Sequence, residues 1–198
     1  SMHGEPIEAV KNGVQTLLTT LKQDPYALET AHVSVITFDS SARQAVPLTD
    51  LRSCLMPAVP ASGTPSLGEA LSLTASSIAK EVQKTTADTK GDWRPLVFLM
   101  TDGSPNDDWR KGLNDFKAAR TGVVVACAAG HDADTSVLKE ITEIVVQLDT
   151  ADSSTIKAFF KWVSASISVG SQKVESSKKE VIGLEDLPPP PPEVNVVL

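Results

Sequence analysis

Apolar residues at Ile7, Val10, Val14, Leu17, Leu18 and Leu21 fall on one face of a helix that Pro6 opens and Asp24-Pro25 closes. His32–Phe38 begins with polar/apolar alternation and predicts a strand. Ala45–Leu48 predicts a second strand, joined to the first as a hairpin through the Asp39–Arg43 turn. A loop rich in Pro, Ser and Gly follows, centred on Gly63 and Thr64, and leads into a helix carrying Leu67, Leu71, Ile78 and Val82. From there strands and helices alternate: strand Pro95–Met100, helix Trp109–Arg120, strand Gly122–Ala128, helix Thr135–Glu140 and strand Ile144–Leu148. The last predicted helix, Thr155–Val169, takes Ser154 as its cap and buries Ile156, Phe159, Phe160, Val163 and Ile167. This alternation predicts an α/β fold with a doubly wound, mostly parallel sheet and helices on both faces.

Within that pattern Pro95–Asp107, PLVFLMTDGSPND, is the sharpest feature. Its apolar run is too short and too uniform for a surface helix and reads as a strand buried on both faces. Asp102 then stands at the carboxyl end of that strand, in a turn set by Gly103 and Pro105. Ligands of open α/β sheets bind at that edge. Thr64 after the hairpin and Ser1 before the first helix bring further small oxygen-bearing side chains to strand ends. Hydroxyl and carboxylate oxygens, without His or Cys, suit a hard cation such as Mg²⁺, which keeps several waters. So open a shell leaves a position for a partner's Asp or Glu.

Composition narrows the setting. With 198 residues and 41% hydrophobic content, the chain has material for one sizeable core. Beyond Gly170 the sequence turns polar and then proline-rich, so the reading divides it into a domain at 1–170 and a tail at 171–198. The proline run Pro188–Pro192 reads as a stiff spacer or as a ligand for an aromatic groove, and Glu193–Leu198 reads as a strand. The net charge of −7 and the lack of a basic run argue against nucleic acid or an anionic membrane as main partner. Cys54 and Cys127 are isolated thiols, consistent with a reducing, cytoplasmic setting. Neither a phosphate-binding glycine loop nor a placeable Ser/His/Asp set occurs, and the chain is not read as an enzyme. His3, His32 and His131 lack metal-ligand spacing, and Asp107 and Asp108 read as first-turn carboxylates of the helix they precede. Trp93 and Trp109 flank the Asp102 loop and read as a partner-binding rim.

The combination SM-x-G-E-P-I, SGT-P-S-LGEAL and LMTDGSPND resembles a von Willebrand factor A domain, and more narrowly the bacterial TerY-type proteins associated with tellurium resistance. That resemblance implies a metal-ion-dependent adhesion site assembled from an Asp-x-Ser-x-Ser turn, a Thr and an Asp on three loops. By position, Ser1 would be the last serine of the turn, Thr64 the threonine and Asp102 the aspartate. The cation implied is Mg²⁺, with Mn²⁺ or Ca²⁺ as substitutes. The leading Asp and first Ser of the turn are not in the sequence, and neither is the central strand before them. Metal binding by this chain is therefore expected to be weak or absent, and the strands around Val35 and Val97 are left without a shared neighbour. The favoured expectation is that the natural protein starts upstream and supplies that strand; the alternative is that the tail segment Val194–Leu198 fills the gap, entering parallel to the strands and arriving beside Ser1. The function implied is a cation-dependent protein-binding module of scaffold type, with a role in tellurite or related stress resistance alongside products of the same operon. Two alternatives remain: a metal-assisted hydrolase built on Asp102, and an assembly protein that self-associates through residues 193–198.

Overall fold

The computed structural model describes residues 2–60, 63–176 and 183–197. Its elements run α1 (Glu5–Lys22), α2 (Pro25–Thr30), β1 (His32–Phe38), β2 (Ala42–Asp50), α3 (Leu67–Glu81), β3 (Val97–Thr101), α4 (Trp109–Ala118), β4 (Val124–Ala129), α5 (Thr135–Ile141), β5 (Val145–Leu148), α6 (Ser153–Ser176), a 3-10 turn (Leu184–Asp186) and β6 (Val194–Val197). Asp24-Pro25 does more than close the first helix. Its carboxylate accepts from the Tyr26 and Ala27 N–H groups at 2.9 and 3.3 Å, and Pro25 supplies the first helical position of α2. The cap of α6 is Asp152 rather than Ser154: one carboxylate oxygen accepts from both the Ser154 and Thr155 N–H groups at 3.0 Å. These bonds, with that from the Thr150 hydroxyl first among them, hold the Asp152 carboxyl well below the usual carboxylate range.

β3, β4 and β5 pair in parallel, as the alternation predicts, while β1 and β2 form a separate antiparallel hairpin. The two sheets share one set of layers. Val33 and Val35 of β1 pack with Phe98 and Met100 of β3 against the cluster formed mainly by α1 and α6. Phe38 of β1 and Val97 and Leu99 of β3 face the other cluster, which α3, α4 and α5 supply. Residues of opposite parity thus face opposite layers on both strands, so the hairpin lies in the plane of the larger sheet. No strand among the described residues pairs with the second edge of β1 or of β3. Burial reflects that edge: every residue of β4 is buried, whereas Val97, Phe98, Leu99 and Met100 of β3 are only half-buried.

The tail does not fill that position. α6 runs through Gly170 to Ser176, and Val194–Val197 pairs antiparallel with β5, at the opposite edge of the sheet, with Leu148 facing Val194 and Val145 facing Val197. An edge suits its sequence better than the centre. Val194 is buried, while Asn195 is exposed and donates from Nδ2 to Asp149 Oδ1 at 2.9 Å, a bond that a doubly covered strand would not accommodate. The proline run on the way there crosses α6, where the Trp162 indole N–H donates to the Pro188 carbonyl at 2.8 Å and Lys173 pairs with Asp186. A proline segment read as a spacer or groove ligand is therefore seated on an aromatic residue of its own chain.

Candidate metal site

Three loops meet at the carboxyl end of β1 and β3. The first follows β1, where the Asp39 carbonyl accepts from the Ser66 N–H at 2.8 Å and the Asp39 carboxylate accepts from the Ser41 N–H at 3.3 Å. The second is the approach to α3, in which Gly63 adopts φ 86°, a left-handed conformation that favours glycine. A Cβ at Gly63 would also stand 3.0 Å from the Ser40 Cβ, so glycine lets this loop close on the end of β1. The third follows β3 and carries Asp102, half-buried, then Asn106 and Asp107.

Two side chains join the second loop to the third. Asn106 Nδ2 donates to the Thr64 hydroxyl oxygen at 2.5 Å. The Asp107 carboxylate accepts from the Gly68 N–H at 3.1 Å and the Glu69 N–H at 3.0 Å, capping α3 from a different segment of chain. Ser66, at the position where a local cap is ordinarily supplied, makes no such bond with its side chain. Asp107 is thus not a first-turn carboxylate of α4; it neutralises the amino end of α3 instead. Helix contact reinforces the join. A Cβ on Gly68 would lie 2.6 Å from the Trp109 Cα, one on Gly112 would collide with the Gly68 backbone, and the Ser72 hydroxyl donates to Asp115 at 2.7 Å.

Of the predicted site residues, Thr64 and Asp102 therefore sit on loops that the fold brings to one strand end. Ser1 lies outside the described residues; its neighbour Met2 packs on the core cluster shared with Phe98 and Met100. The two tryptophans do not form one rim. Trp93 precedes β3 and packs on the α1/α6 cluster, whereas Trp109 begins α4 beyond the other end of β3 and packs on the α3/α4 cluster, with the Arg110 guanidinium 4.6 Å from its ring centroid. The sequence reading did not single out Asn106, which joins the two loops, and gave Asp107 the wrong helix. Their partners lie about forty positions away, so no local spacing reports them.

The von Willebrand factor type A domain profile matches residues 1–161, and the chain belongs to that family. Among solved structures, a von Willebrand factor type A protein from Catenulispora acidiphila aligns with TM-score 0.61 at 16% identity, covering 82% of this chain and 38% of its own. Proximal thread matrix protein 1 of the mussel byssus aligns at 0.59 and 19% identity, covering 81% of this chain and 42% of its own. The same mussel protein, solved with a zinc-occupied MIDAS motif, gives 0.58 at 19%. At such identities the likeness shows the fold, and this chain spans less than half the length of either relative. No curated protein matches the chain.

The donors present fit a hard divalent cation in an open shell. Thr64 offers a hydroxyl and Asp102 a carboxylate, both oxygen, and neither is sealed from solvent. No group of three or more His, Cys, Asp or Glu side chains suited to a metal occurs among the described residues, so a closed, all-protein shell is not what this site offers. Asn106 takes one lone pair of the Thr64 oxygen and leaves the other directed elsewhere. No helix among the described residues is long and apolar enough to cross a membrane.

Proposed function

We propose that this domain is a non-enzymatic protein-binding module whose contact with a partner depends on a divalent cation, Mg²⁺ in the first instance, at the Thr64–Asp102 end of the sheet. The observation that carries the reading is the Asn106–Thr64 bond, which ties the hydroxyl-bearing loop to the carboxylate-bearing one. Bound there, a cation supplies a positive pole for an Asp or Glu of the partner. Thr64 and Asp102 hold it, Asn106 orients the Thr64 hydroxyl, and Asp107 keeps α3 and the Thr64 loop in register with the Asp102 loop. The mussel relative with zinc in its MIDAS motif supports a cation at this end of the fold. The motifs SGT-P-S-LGEAL and LMTDGSPND support the narrower TerY-type reading: a cytoplasmic scaffold in tellurite or related stress resistance that binds products of its own operon.

Calorimetric titration with Mg²⁺ and Mn²⁺ tests the cation. With two protein donors we expect binding weaker than micromolar, lost in Asp102→Ala and weakened in Thr64→Val. Affinity unchanged by Asp102→Ala overturns the assignment, whereas micromolar Mg²⁺ affinity that Asp102→Ala abolishes overturns only the expected weakness. Turnover of generic phosphate esters or peptides with added Mn²⁺, abolished by Asp102→Ala, would instead make the domain a hydrolase.

A further inference from the structure

We propose that the proline strap between α6 and β6 is a docking ridge for a partner domain whose aromatic-walled, basic-rimmed groove reads a polyproline II helix. The covalent chain dictates that shape. The rings of Pro188–Pro192 fix φ, and each residue from Leu187 to Pro191 precedes a proline, which drives its ψ into the extended range. Five prolines in a row therefore wind into a left-handed helix of three residues per turn without internal hydrogen bonds. The fold holds both ends of it. At one end Leu187 is buried and the Pro188 carbonyl accepts from the Trp162 indole N–H. At the other the Pro191 carbonyl accepts from the Val194 N–H at 3.0 Å, as the chain turns into β6.

Anchoring selects the side that faces outward. Pro188 and Pro191, one turn apart, are half-buried, whereas Pro189 and Pro192, also one turn apart, are exposed. Two rings about 9 Å apart thus stand along one ridge. Among the described residues no donor reaches the Pro189 or Pro190 carbonyl. A groove lined by Trp and Tyr matches both features: its rings pack against the prolines, and its indole or phenol groups donate to the carbonyls, as Trp162 does from within the chain. Because the strap is already held at both ends, docking has little left to order in it. Its flanks set the charge of the partner. Glu185 and Glu193 are exposed, while Asp186 is paired with Lys173. Lysine or arginine at the ends of the groove complements them.

Isolated SH3, WW and EVH1 domains, which read this helix through aromatic grooves, serve as probes. They are titrated against the whole chain in EDTA, which keeps the outcome independent of the cation site. At least one is expected to bind saturably, and more tightly than it binds a free peptide spanning Glu185–Glu193, whose ends are not held. Pro189→Ala combined with Pro192→Ala removes only exposed rings and should weaken that binding about tenfold, leaving the Trp162 indole N–H signal in place. Glu193→Lys should weaken it less, by an amount that shrinks as salt is raised. Failure of all three domains to bind overturns the proposal, as does binding that the double substitution leaves unchanged. So does binding that moves the Trp162 indole signal to that of a freed strap, because the prolines would then be read only after release.

Discussion

β3 and β4 are adjacent strands of similar apolar character, paired residue for residue from Val97–Val124 to Thr101–Ala128. One is sealed along its whole length, while the other keeps four of its five positions half-buried. Composition does not distinguish them; neighbours do. β4 lies between β3 and β5, whereas among the described residues β3 pairs with β4 alone. Cys127 illustrates the sealed case: burial pushes its thiol up, far from any reactive thiolate.

The largest test of that contrast is a buried charge. Val125→Asp places a carboxylate at a fully buried position of β4 and is expected to cost more than about 4 kcal/mol, enough to unfold a domain of this size. Leu99→Asp in β3, where solvent reaches the side chain, should leave a folded protein with a measurable urea transition. Equal losses for the two variants would mean that the outer edge of β3 is covered in solution. A smaller effect is expected at the far edge of the sheet. Val194→Ala removes a buried contact of β6 with the core and should cost about 2 kcal/mol, read from the shift in denaturant midpoint. It should also speed exchange of the β5 amides and thereby make β5 more like β3. The smallest is Asp134→Ala. Asp134 caps α5, the helix after β4, accepting from the Ser136 N–H at 3.0 Å and more distantly from Val137, and its loss should cost about 1 kcal/mol. The Ser136 hydroxyl, also bonded to it, leads the causes that hold its carboxyl below the ordinary value. Its contribution is therefore full above the unfolded pKa of about 4 and fades as pH falls through the depressed folded value. The gap between wild type and Asp134→Ala should accordingly narrow in acid.

The same contrast marks what could be read from the chain. The run at Pro95–Met100 announced a strand with two apolar faces, and that was legible because a strand's pattern records its layers. Its lateral neighbours left no such record, since backbone pairing is nearly blind to side-chain identity. Val194–Val197 makes the same point: its strand character was evident, but its partner was not. Only Asn195, a polar residue suited to an exposed edge, carried information about which edge it would take. At the candidate site, Thr64 and Asp102 were placed by their position after strands. Asn106 and Asp107 act across distant segments, on partners about forty positions away. Where a residue serves an element far along the chain, local pattern assigns it to the element nearest at hand.

Trp162 gives the two edges of the sheet a common reporter. Its indole N–H holds the Pro188 carbonyl of the strap leading to β6, while its ring meets Phe98 of β3 edge-on at 6.4 Å between centroids. Displacing Phe98 shifts the ring that the strap depends on, and freeing the strap releases the ring that packs on Phe98. By reciprocity the two events share one coupling free energy, whichever is driven first. The emission spectrum of a single indole therefore reads both, and a protein whose other tryptophans are replaced by phenylalanine becomes a gauge of the two contacts together.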